Sequence, residues 1–369
     1  MLKKLLFPIK FAALIAAILL AIAYVVSAYS GMVNPEKDAK FAIIGLGYPL
    51  LFSASLLVLG LWLIFKQWWL AAITACSLIA TADPLTTFFP FGSSQEVADT
   101  SKTFTLLTFN VMNFDDFDGT VHEPNRTVQY ILQTDADIVC LQEGAQGVRF
   151  TSINVIQNSL PELIARYPYY TNGTDDMVLL SKYPFELCDE YVTSSERKKV
   201  VAYNVNIKGH TVKIFNCHLQ SIGLTMSDKE IYKQITEIDG INHIEPIDAI
   251  KEVRSNLFSK LSAAFKQRAK QAHDLRELID SSGKDVIVCG DFNDTPGSYS
   301  YRTVRGDDMH DAYNDCANGP TITYHDNRFF FKIDHVLYRG DLKAIAIKRG
   351  DIDSSDHYPL IATFAFASK

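Results

Sequence analysis

Apolar residues are distributed unevenly along this 369-residue chain, and that unevenness constrains its fold more than any other feature. Residues 7–28 are almost wholly apolar, residues 41–65 contain no charge, and residues 68–91 are interrupted only near Asp83. About 20 apolar residues span a bilayer as a helix. The sequence therefore predicts that residues 1–92 form a membrane segment, with three transmembrane helices.

Two alternatives to this topology remain. A secretory signal peptide also begins with basic residues before an apolar run, as Lys3 and Lys4 do here, although this run is long for one. Residues 68–91 could instead form a hairpin against the membrane surface. The basic residues near the start place the N-terminus in the cytoplasm. Three spans then place the rest of the chain outside the cytoplasm, and two spans place it inside.

Charge separates the two parts of the chain. Residues 1–92 contain six basic and three acidic residues and so have a net charge of +3. Because the whole chain has a net charge of −7, residues 93–369 have a net charge of −10. An acidic soluble part argues against tight non-specific binding of nucleic acid, which needs clustered Lys and Arg. A local basic patch on the predicted insertion 227–270 stays open; a solvated helix face is the alternative. Its basic residues include Lys260, Lys266, Arg268 and Lys270.

The cysteines indicate a packed interior and not a metal ribbon or a redox motif. No CxxC occurs in the chain. Cys140, Cys217 and Cys289 each lie inside an apolar run. We expect them to be small buried side chains.

Beyond a polar linker at residues 93–103, strand-like and helix-like segments are mixed. Short continuous apolar runs predict strands buried on both faces. Residues 126–134 and 245–279 have helical spacing, and residues 227–246 resemble an inserted polar loop. Strands with helices outside them predict a layered α/β fold.

Two of the predicted strands end on polar side chains. Asn110 closes the first strand, and Glu143 directly follows the apolar run 138–142. Taken alone, the asparagine is typical of a turn and the glutamate of a solvated strand end. As a functional residue, Glu143 would suit a hard cation such as Mg²⁺, which takes one or two carboxylates and keeps its waters for substrate phosphate oxygens.

Residues 286–296 carry the strongest signal. Gly290 would allow backbone or substrate to approach closely. Asp291 and Asn293 are two residues apart, so on an extended segment their side chains point the same way. A carboxylate and an amide on one face can hold an attacking water and a phosphoryl oxygen together; a simple turn is the alternative.

Two histidines and two further carboxylates complete the candidate residues. Neighbours on a strand face opposite ways, so Asp356 and His357 are expected to have different partners, one the metal and the other the substrate. His218 lies at a strand end. Asp334 lies within a strand, where an unpaired buried carboxylate is costly. We therefore expect it to pair with His357, whose tautomer and charge it would support.

Taken in order, the segments TFN, LQE, NCHL, GDFND, KIDHVLY and SDHYPL resemble the motifs of the endonuclease/exonuclease/phosphatase superfamily. This group includes DNase I, abasic-site endonucleases, neutral sphingomyelinases and inositol polyphosphate 5-phosphatases. The resemblance covers residues 104–369 and is strongest to membrane-tethered bacterial members. It implies a DNase I-like, four-layered α/β sandwich with two largely antiparallel sheets, preceded by the helical membrane segment.

The resemblance also implies roles for individual residues. Some members have an acidic residue where this chain has Met112. A site for one metal ion, Mg²⁺ or Mn²⁺, is therefore expected near Glu143. The implied metal ligands are Glu143, Asn110 and Asp356. The implied catalytic residues are His218 as hydrogen-bond donor to the phosphate, Asp291 at the attacking water, Asn293, Asp334, and His357 as base or phosphate ligand. The implied substrate-binding residues are Asn110, His218 and Asn293.

The expected activity is metal-dependent hydrolysis of a phosphate ester by a phosphodiesterase or nuclease-like enzyme in a bacterial inner membrane, with the catalytic domain on the periplasmic side. Nucleic acid, a phospholipid headgroup and a soluble phosphodiester remain open as substrates. Membrane lipid is an expected partner, and the sequence indicates no protein partner. The alternative is a non-catalytic, membrane-attached binding module on the same scaffold. A transporter component is disfavoured because the apolar segments are few.

Overall fold

The computed structural model describes residues 2–96, 100–114, 125–144, 160–171, 177–194, 197–223, 247–326 and 330–367. The first part of the chain is helical. Its helices are α1 (Leu2–Ala28), α2 (Ala39–Leu46), α3 (Tyr48–Ile64), α4 (Trp68–Ala80) and α5 (Ala82–Phe88). By length and composition, α1 can cross a membrane, and three spans are possible if the bent pairs α2–α3 and α4–α5 each count as one.

The apolar run 41–65, expected as one helix, is broken at Gly47, and α2 and α3 meet at 54°. Pro49 lies in the first turn of α3, where its missing N–H is no loss, but proline disfavours helical backbone in the residue before it. Thr81 marks a second bend, of 65°, between α4 and α5. The sequence prediction of three single helices included neither bend.

Polar side chains point into the helical bundle and apolar ones point out of it. The Thr81 hydroxyl donates to the hydroxyl of Tyr24, at 2.7 Å, and Ser27 Oγ donates to the carbonyl of Ile44 at 2.9 Å. Leu57 and Trp69, in contrast, are 67% and 86% exposed. This polarity is the reverse of that of a soluble protein and is typical of helices packed within lipid.

The remaining residues form two six-stranded sheets between layers of helices, which confirms the predicted α/β sandwich. One sheet has the order β11-β12-β1-β2-β4-β3, and the other has the order β5-β6-β7-β8-β10-β9. Each sheet contains one parallel pair, β1 with β2 and β7 with β8, and its other pairs are antiparallel. The strands are β1 (Thr103–Asn110), β2 (Ile138–Gln142), β3 (Tyr169–Tyr170), β4 (Val178–Ser181), β5 (Phe185–Ser194), β6 (Arg197–Ile207), β7 (His210–His218), β8 (Val286–Asp291), β9 (His310–Asp311), β10 (Asp334–Arg339), β11 (Leu342–Arg349) and β12 (Leu360–Phe366).

Helices cover both outer faces of the sandwich. They are α6 (Arg126–Thr134) and α7 (Leu160–Arg166) on the first sheet, and α8 (Ile247–Ser281) and α9 (Tyr299–Arg305) on the second, with the short α10 (Ala312–Cys316) near β11. The core between the sheets contains Cys140 and Cys289, and Cys217 packs under α8, so these cysteines are buried as predicted. The predicted insertion falls in part on residues 224–246, which lie outside the described residues.

The sequence prediction found the central strands and missed the four strands at the sheet edges, of which β3 and β9 have only two residues each. Helix α6 has the predicted bounds, and α8 both begins and ends two residues later than predicted. Strands β5 and β11 were not predicted because they lie at the edges of their sheets. In β11 the apolar run 344–347 is short and is flanked by the exposed residues Lys343, Lys348 and Arg349, so solvated residues of the edge strand interrupt its apolar pattern.

The helical bundle contacts the sandwich directly. A Cβ at Gly31 would overlap the carbonyl oxygen of Gly297, so the two backbones touch there. Glu36 forms an ion pair with Lys270 of α8, at 3.7 Å. Within the segment predicted as a linker, Gln95 donates its backbone N–H to Ile345 of β11 at 2.8 Å. The described part of that linker is therefore bonded along the sandwich.

Candidate active site

Strand register brings the predicted site residues to one edge of the sandwich. Parallel β7 and β8 end side by side, with His218 opposite Asp291. Strand β10 runs antiparallel to β8, so its first residue, Asp334, also lies opposite Asp291. In the other sheet, Asn110 ends β1 and Glu143 follows β2, its parallel neighbour. The ends of both sheets meet here and border a cleft of about 440 Å³.

Asp291 lies at the centre of this edge and is 1% exposed. Its two oxygens accept hydrogen bonds from the backbone N–H of Asn293, at 2.7 Å, and from the side-chain amides of Asn293 and Asn110, at 3.0 and 3.3 Å. Burial raises the pKa of Asp291, an effect that the positive charge of His357 opposes and the negative charge of Asp334 reinforces. The carboxyl group is thus shifted towards a neutral pKa, which suits a general base.

His357 and Asp334 form a buried pair. The Nδ1 atom of His357 lies 2.9 Å from Oδ2 of Asp334, and its Nε2 lies 3.7 Å from Oδ2 of Asp291. Burial by itself would lower the pKa of His357, but the carboxylates of Asp334 and Asp291 outweigh it, and the net effect is a raised pKa. Near neutral pH the imidazole is therefore charged and donates through both nitrogens.

Glu143, Asn110 and His218 form the other side of the site. The Asn110 amide donates to Oε1 of Glu143 at 3.2 Å, and Nε2 of His218 lies 3.6 Å from the same oxygen. His218 Nε2 also lies 3.8 Å from Oδ2 of Asp291. Two imidazoles therefore flank one carboxylate oxygen, and the Glu143 side chain, which is 26% exposed, is the more accessible acid beside them.

Unusual backbone angles aim two of these side chains. Glu143 and Asn293 both have φ of +52°, in the left-handed region. Asparagine tolerates this region, whereas for other non-glycine residues it costs about 1–2 kcal/mol. Such strain at two strand ends is typical of a functional site. Gly290 has φ of +129°, and a Cβ there would overlap the carbonyl oxygen of Cys217, so its close approach is to a neighbouring strand and not to substrate.

Asp356 and His357 do not face opposite ways, as a strand would require. Residues 351–359 form bends, and both side chains line the cleft. Their partners differ, as expected: His357 contacts Asp334, and Asp356 Oδ1 accepts from the hydroxyl of Ser355 at 3.4 Å. The expectation of opposite directions was wrong because this segment joins β11 to β12 as a loop.

The oxygen-rich side of the site fits a divalent cation. Glu143 and Asp356 supply carboxylates to the cleft, and Asn110 presents a carbonyl oxygen that accepts one hydrogen bond, from the N–H of Met112 at 3.2 Å, leaving a lone pair. Mg²⁺ and Mn²⁺ prefer such oxygen ligands. Asp291, Asp334 and His357 also approach closely enough to share an ion, within 4.8 Å, but Asp334 and His357 are already hydrogen-bonded to each other. We favour the Glu143 side for the cation.

The sequence prediction missed several residues that position the site. Gln142 and Asn216 join the two sheets below the cleft through a hydrogen bond of 2.7 Å. Their signal was a polar residue inside an apolar strand, where burial demands a partner. Tyr324 packs its ring at 5.1 Å from that of His357 and gave no sequence signal. Arg268 is 1% exposed, bonded to Asp294 at 3.3 Å, and borders the cleft, so it does not belong to a solvated face.

Comparison with solved structures finds chains of low identity and modest similarity. A humanized D. rerio TDP2 with 14 mutations is 15% identical, with a TM-score of 0.47, over 71% of this chain and 99% of that chain. An endonuclease/exonuclease/phosphatase from Beutenbergia cavernae is 14% identical, with a TM-score of 0.47, over 72% of each chain. One from Bacteroides vulgatus is 17% identical, with a TM-score of 0.45, over 72% of this chain and 99% of that chain.

Comparison with family models covers both parts of the molecule. Residues 5–88 match a domain of unknown function (DUF8431). No curated protein matches the chain. Residues 107–357 match the model of the endonuclease/exonuclease/phosphatase family and include the whole candidate site from Asn110 to His357. The chain therefore belongs to the endonuclease/exonuclease/phosphatase family.

Proposed function

We propose that this protein is a metal-dependent phosphodiesterase or nuclease-like hydrolase of phosphate esters, anchored in a membrane. The family supports phosphate-ester hydrolysis as the general chemistry. One observation carries the proposal for this chain: Oδ2 of Asp291 lies 3.8 Å from Nε2 of His218 and 3.7 Å from Nε2 of His357. A base between two imidazole donors can activate water beside a phosphoryl group whose charge those donors stabilise.

Asp291 is the proposed base. Its pKa, raised by burial, allows it to take a proton from water near neutral pH. Asn293 holds it in place, because both amide hydrogens of Asn293 already have acceptors, on Leu219 and on Asp291. We therefore assign Asn293 to positioning Asp291, in place of the direct phosphate contact that the resemblance implied.

His357 and His218 are the proposed donors to the phosphate. Asp334 keeps His357 charged, so that its Nε2 can donate to a non-bridging oxygen as negative charge grows in the transition state. His218 approaches the same region from the other sheet. A donor at the end of β7 and a donor in the loop between β11 and β12 can contact different oxygens of one phosphoryl group.

Glu143, with Asn110 and Asp356, would hold the divalent cation. When bound, the cation would screen the charge of the phosphodiester and stabilise the leaving oxygen. Asn110 has a second task, since its amide bridges Glu143 and Asp291. It therefore fixes the distance between the cation ligand and the base.

The path of the chain supports a location outside the cytoplasm. Gly31, which follows α1, and α2 both contact the sandwich. Helix α3 has 17 residues and so extends about 25 Å away from that contact, to the turn at Lys66. The basic residues 3, 4, 10 and 66 thus lie at or towards the far end of the bundle, which the positive-inside rule assigns to the cytoplasm. We propose a bacterial inner-membrane protein with the sandwich in the periplasm.

The proposal is tested with full-length protein in detergent and bis-p-nitrophenyl phosphate as substrate. We expect turnover with Mg²⁺ or Mn²⁺ that EDTA abolishes, and an Asp291→Asn variant that loses about 10²–10⁴-fold in kcat. The control is Asp308→Asn, a carboxylate that pairs with Arg276 and Arg339 outside the cleft, which should keep its turnover. A folded protein that binds Mg²⁺ but hydrolyses nothing would support the binding-module alternative.

A further inference from the structure

The candidate active site opens towards the helical bundle. Leu46, the last residue of α2, borders the same cleft as Asp291 and His357. Gly31 touches the loop at Gly297, a few residues beyond Asp291 in sequence. The catalytic edge of the sandwich, and not its opposite edge, therefore faces the segments that we assign to the membrane.

The cleft combines a polar floor with apolar walls. Its floor is the site described above, and its apolar walls comprise Leu46, Leu257, Leu261, Phe265, Phe331 and Ile333. Among the described residues that line it, Arg268 is the one Lys or Arg side chain, and it is buried against Asp294. A nucleic acid would need exposed cations along these walls, whereas an apolar chain would be buried by them.

A second cavity, of about 610 Å³, continues from this cleft along the bundle. Leu46, Thr295 and Phe331 border both cavities, so the two cavities lie side by side and share these residues. The second cavity, which we call the bundle groove, reaches Pro49 and Ser53 of α3, one helical turn apart, and so extends along a candidate span. Its other walls are mainly apolar and include Phe88, Phe89, Pro296, Ile322 and Phe330.

The groove has an exposed cation, whereas Arg268, the cation that lines the cleft among the described residues, is buried. Arg349 lines the groove, is exposed, and stacks its guanidinium 4.2 Å from the ring centroid of Tyr358. Lys332 also lines the groove but is buried beside His335 and Asp311. An exposed guanidinium beside an apolar groove suits the boundary between lipid chains and anionic headgroups.

We propose that the substrate is a phosphodiester lipid of the surrounding bilayer, with an apolar chain in the bundle groove and its phosphate on the floor at Asp291. This inference rests on the proposed phosphoester hydrolysis and adds the substrate class. The oxygen of one water forms a bond to phosphorus, and the bond from phosphorus to one ester oxygen breaks. That oxygen leaves as an alcohol with a proton, and the phosphate keeps the other ester.

The test uses full-length protein in phospholipid vesicles, with the deacylated glycerophosphodiester of the same headgroup and bis-p-nitrophenyl phosphate as soluble substrates. We expect kcat/KM for the lipid to exceed that for the deacylated diester by about 100-fold or more, since roughly 2.8 kcal/mol of apolar binding corresponds to two factors of ten. Organic-phase products, a lipid alcohol or a lipid phosphomonoester, identify the bond that breaks. Equal rates on both diesters, or faster hydrolysis of single-stranded DNA than of lipid, would overturn the proposal.

A matched pair of variants localises the effect to the groove. Phe330→Asp introduces a charge at the groove, and Leu187→Asp introduces the same charge on β5; both parent side chains are 57% exposed. For Phe330→Asp, the ratio of lipid turnover to bis-p-nitrophenyl phosphate turnover should fall by about tenfold, and for Leu187→Asp it should not change. Identical ratios in the two variants would refute a chain in this groove. If the unmutated protein hydrolyses none of the substrates, that result would instead contradict the proposed hydrolase activity.

Discussion

The helical bundle and the sandwich place polar and apolar side chains in opposite ways. In the bundle, Ser55, Thr74, Ser77 and Thr81 are buried. In the sandwich, the interior between the sheets is formed largely by valine, isoleucine and leucine, and its buried polar groups cluster at the site edge and its supports. One chain thus follows two patterns of burial, and this difference supports the proposed membrane anchor, with lipid around the helical bundle and water around the sandwich.

The contact between the helical bundle and the sandwich lies at the candidate active site. Leu46 contributes to the cleft from the bundle, while the chemistry comes from strand ends of the sandwich. An apolar surface and a charged surface therefore meet at the proposed phosphate site, and this arrangement suits a substrate with an apolar part and a phosphate. Substitutions matched between the two regions test whether this difference in polarity holds.

The largest expected effect is a steric one within the sandwich. Gly290→Ala would push a methyl group into the carbonyl of Cys217 and force an alanine to φ of +129°. We expect a loss of about 4 kcal/mol in the free energy of unfolding, from strain and overpacking together. Gly283→Ala is the control, since no atom lies within 4 Å of its added Cβ. Chemical denaturation of both variants measures the difference, and equal stabilities would show that β7 and β8 can separate here.

A charge on the outer face of the bundle should have the next largest effect. Leu57→Asp places a carboxylate on an exposed apolar position of α3, and a charge at the centre of a membrane helix costs about 2.5–3.5 kcal/mol. Leu187→Asp, at an exposed apolar position on β5, should cost about 0.5 kcal/mol or less. The fraction of protein recovered in the membrane measures this cost. If both variants insert equally well, α3 does not face lipid.

The third effect separates two roles for His357. Asp334→Asn removes the carboxylate that raises the pKa of His357, so that pKa falls. If charged His357 donates to the phosphate, activity on the alkaline side is lost at lower pH than in the unmutated protein. In both cases the acidic side of the profile moves to lower pH, because Asp334 also raises the pKa of Asp291. If neutral His357 is the base, the alkaline side does not move. A pH–kcat profile on bis-p-nitrophenyl phosphate distinguishes these outcomes, and an unchanged profile would contradict a role for the pair.

The sequence predicted much of the sandwich because central strands are continuous apolar runs that end on functional side chains. Asn110, Glu143, His218 and Asp291 each end or follow such a run, and parallel neighbours must bring these ends to one edge. The edge strands could not be found this way, since one face of each meets water. Pro49 was a signal for the bend at residue 47, but the prediction gave more weight to the length of the apolar run.

The bundle groove and the burial of Arg268 could not be predicted from local patterns. The groove is formed where residues 45–53 meet residues 320–322, 330–332 and 349, which are distant from them in sequence. Its existence depends on how the two regions dock. Arg268 has the sequence surroundings of a solvated helix face, yet the carboxylate of Asp294 and the carbonyl of Gln220 bind it inside. Long-range partners decide such positions, and a single helix pattern contains no information about them.

The smallest effect compares one substitution in both regions. Thr81 and Thr127 are both fully buried, and each forms a hydroxyl–hydroxyl hydrogen bond, to Tyr24 at 2.7 Å and to Ser354 at 2.6 Å. In the sandwich, Thr127→Val leaves Ser354 buried without this partner and should cost about 1–3 kcal/mol. In the bundle, Thr81→Val should cost about 0.6 kcal/mol, because in lipid the separated helices also find polar partners.

Unfolding of both threonine variants in the same nanodiscs measures the two costs. The comparison is informative because the substituted side chain and its burial are the same and the two hydroxyl–hydroxyl distances are similar. Thr81 Oγ1 also lies 3.1 Å from the carbonyl oxygens of Ser77 and Leu78 in its own preceding turn. A Thr81→Val cost equal to or above that of Thr127→Val would mean that residues 2–88 are stabilised as a water-soluble bundle is. The groove beside α3 would then open to water, and no bilayer lipid would be beside it to supply the apolar chain of the substrate.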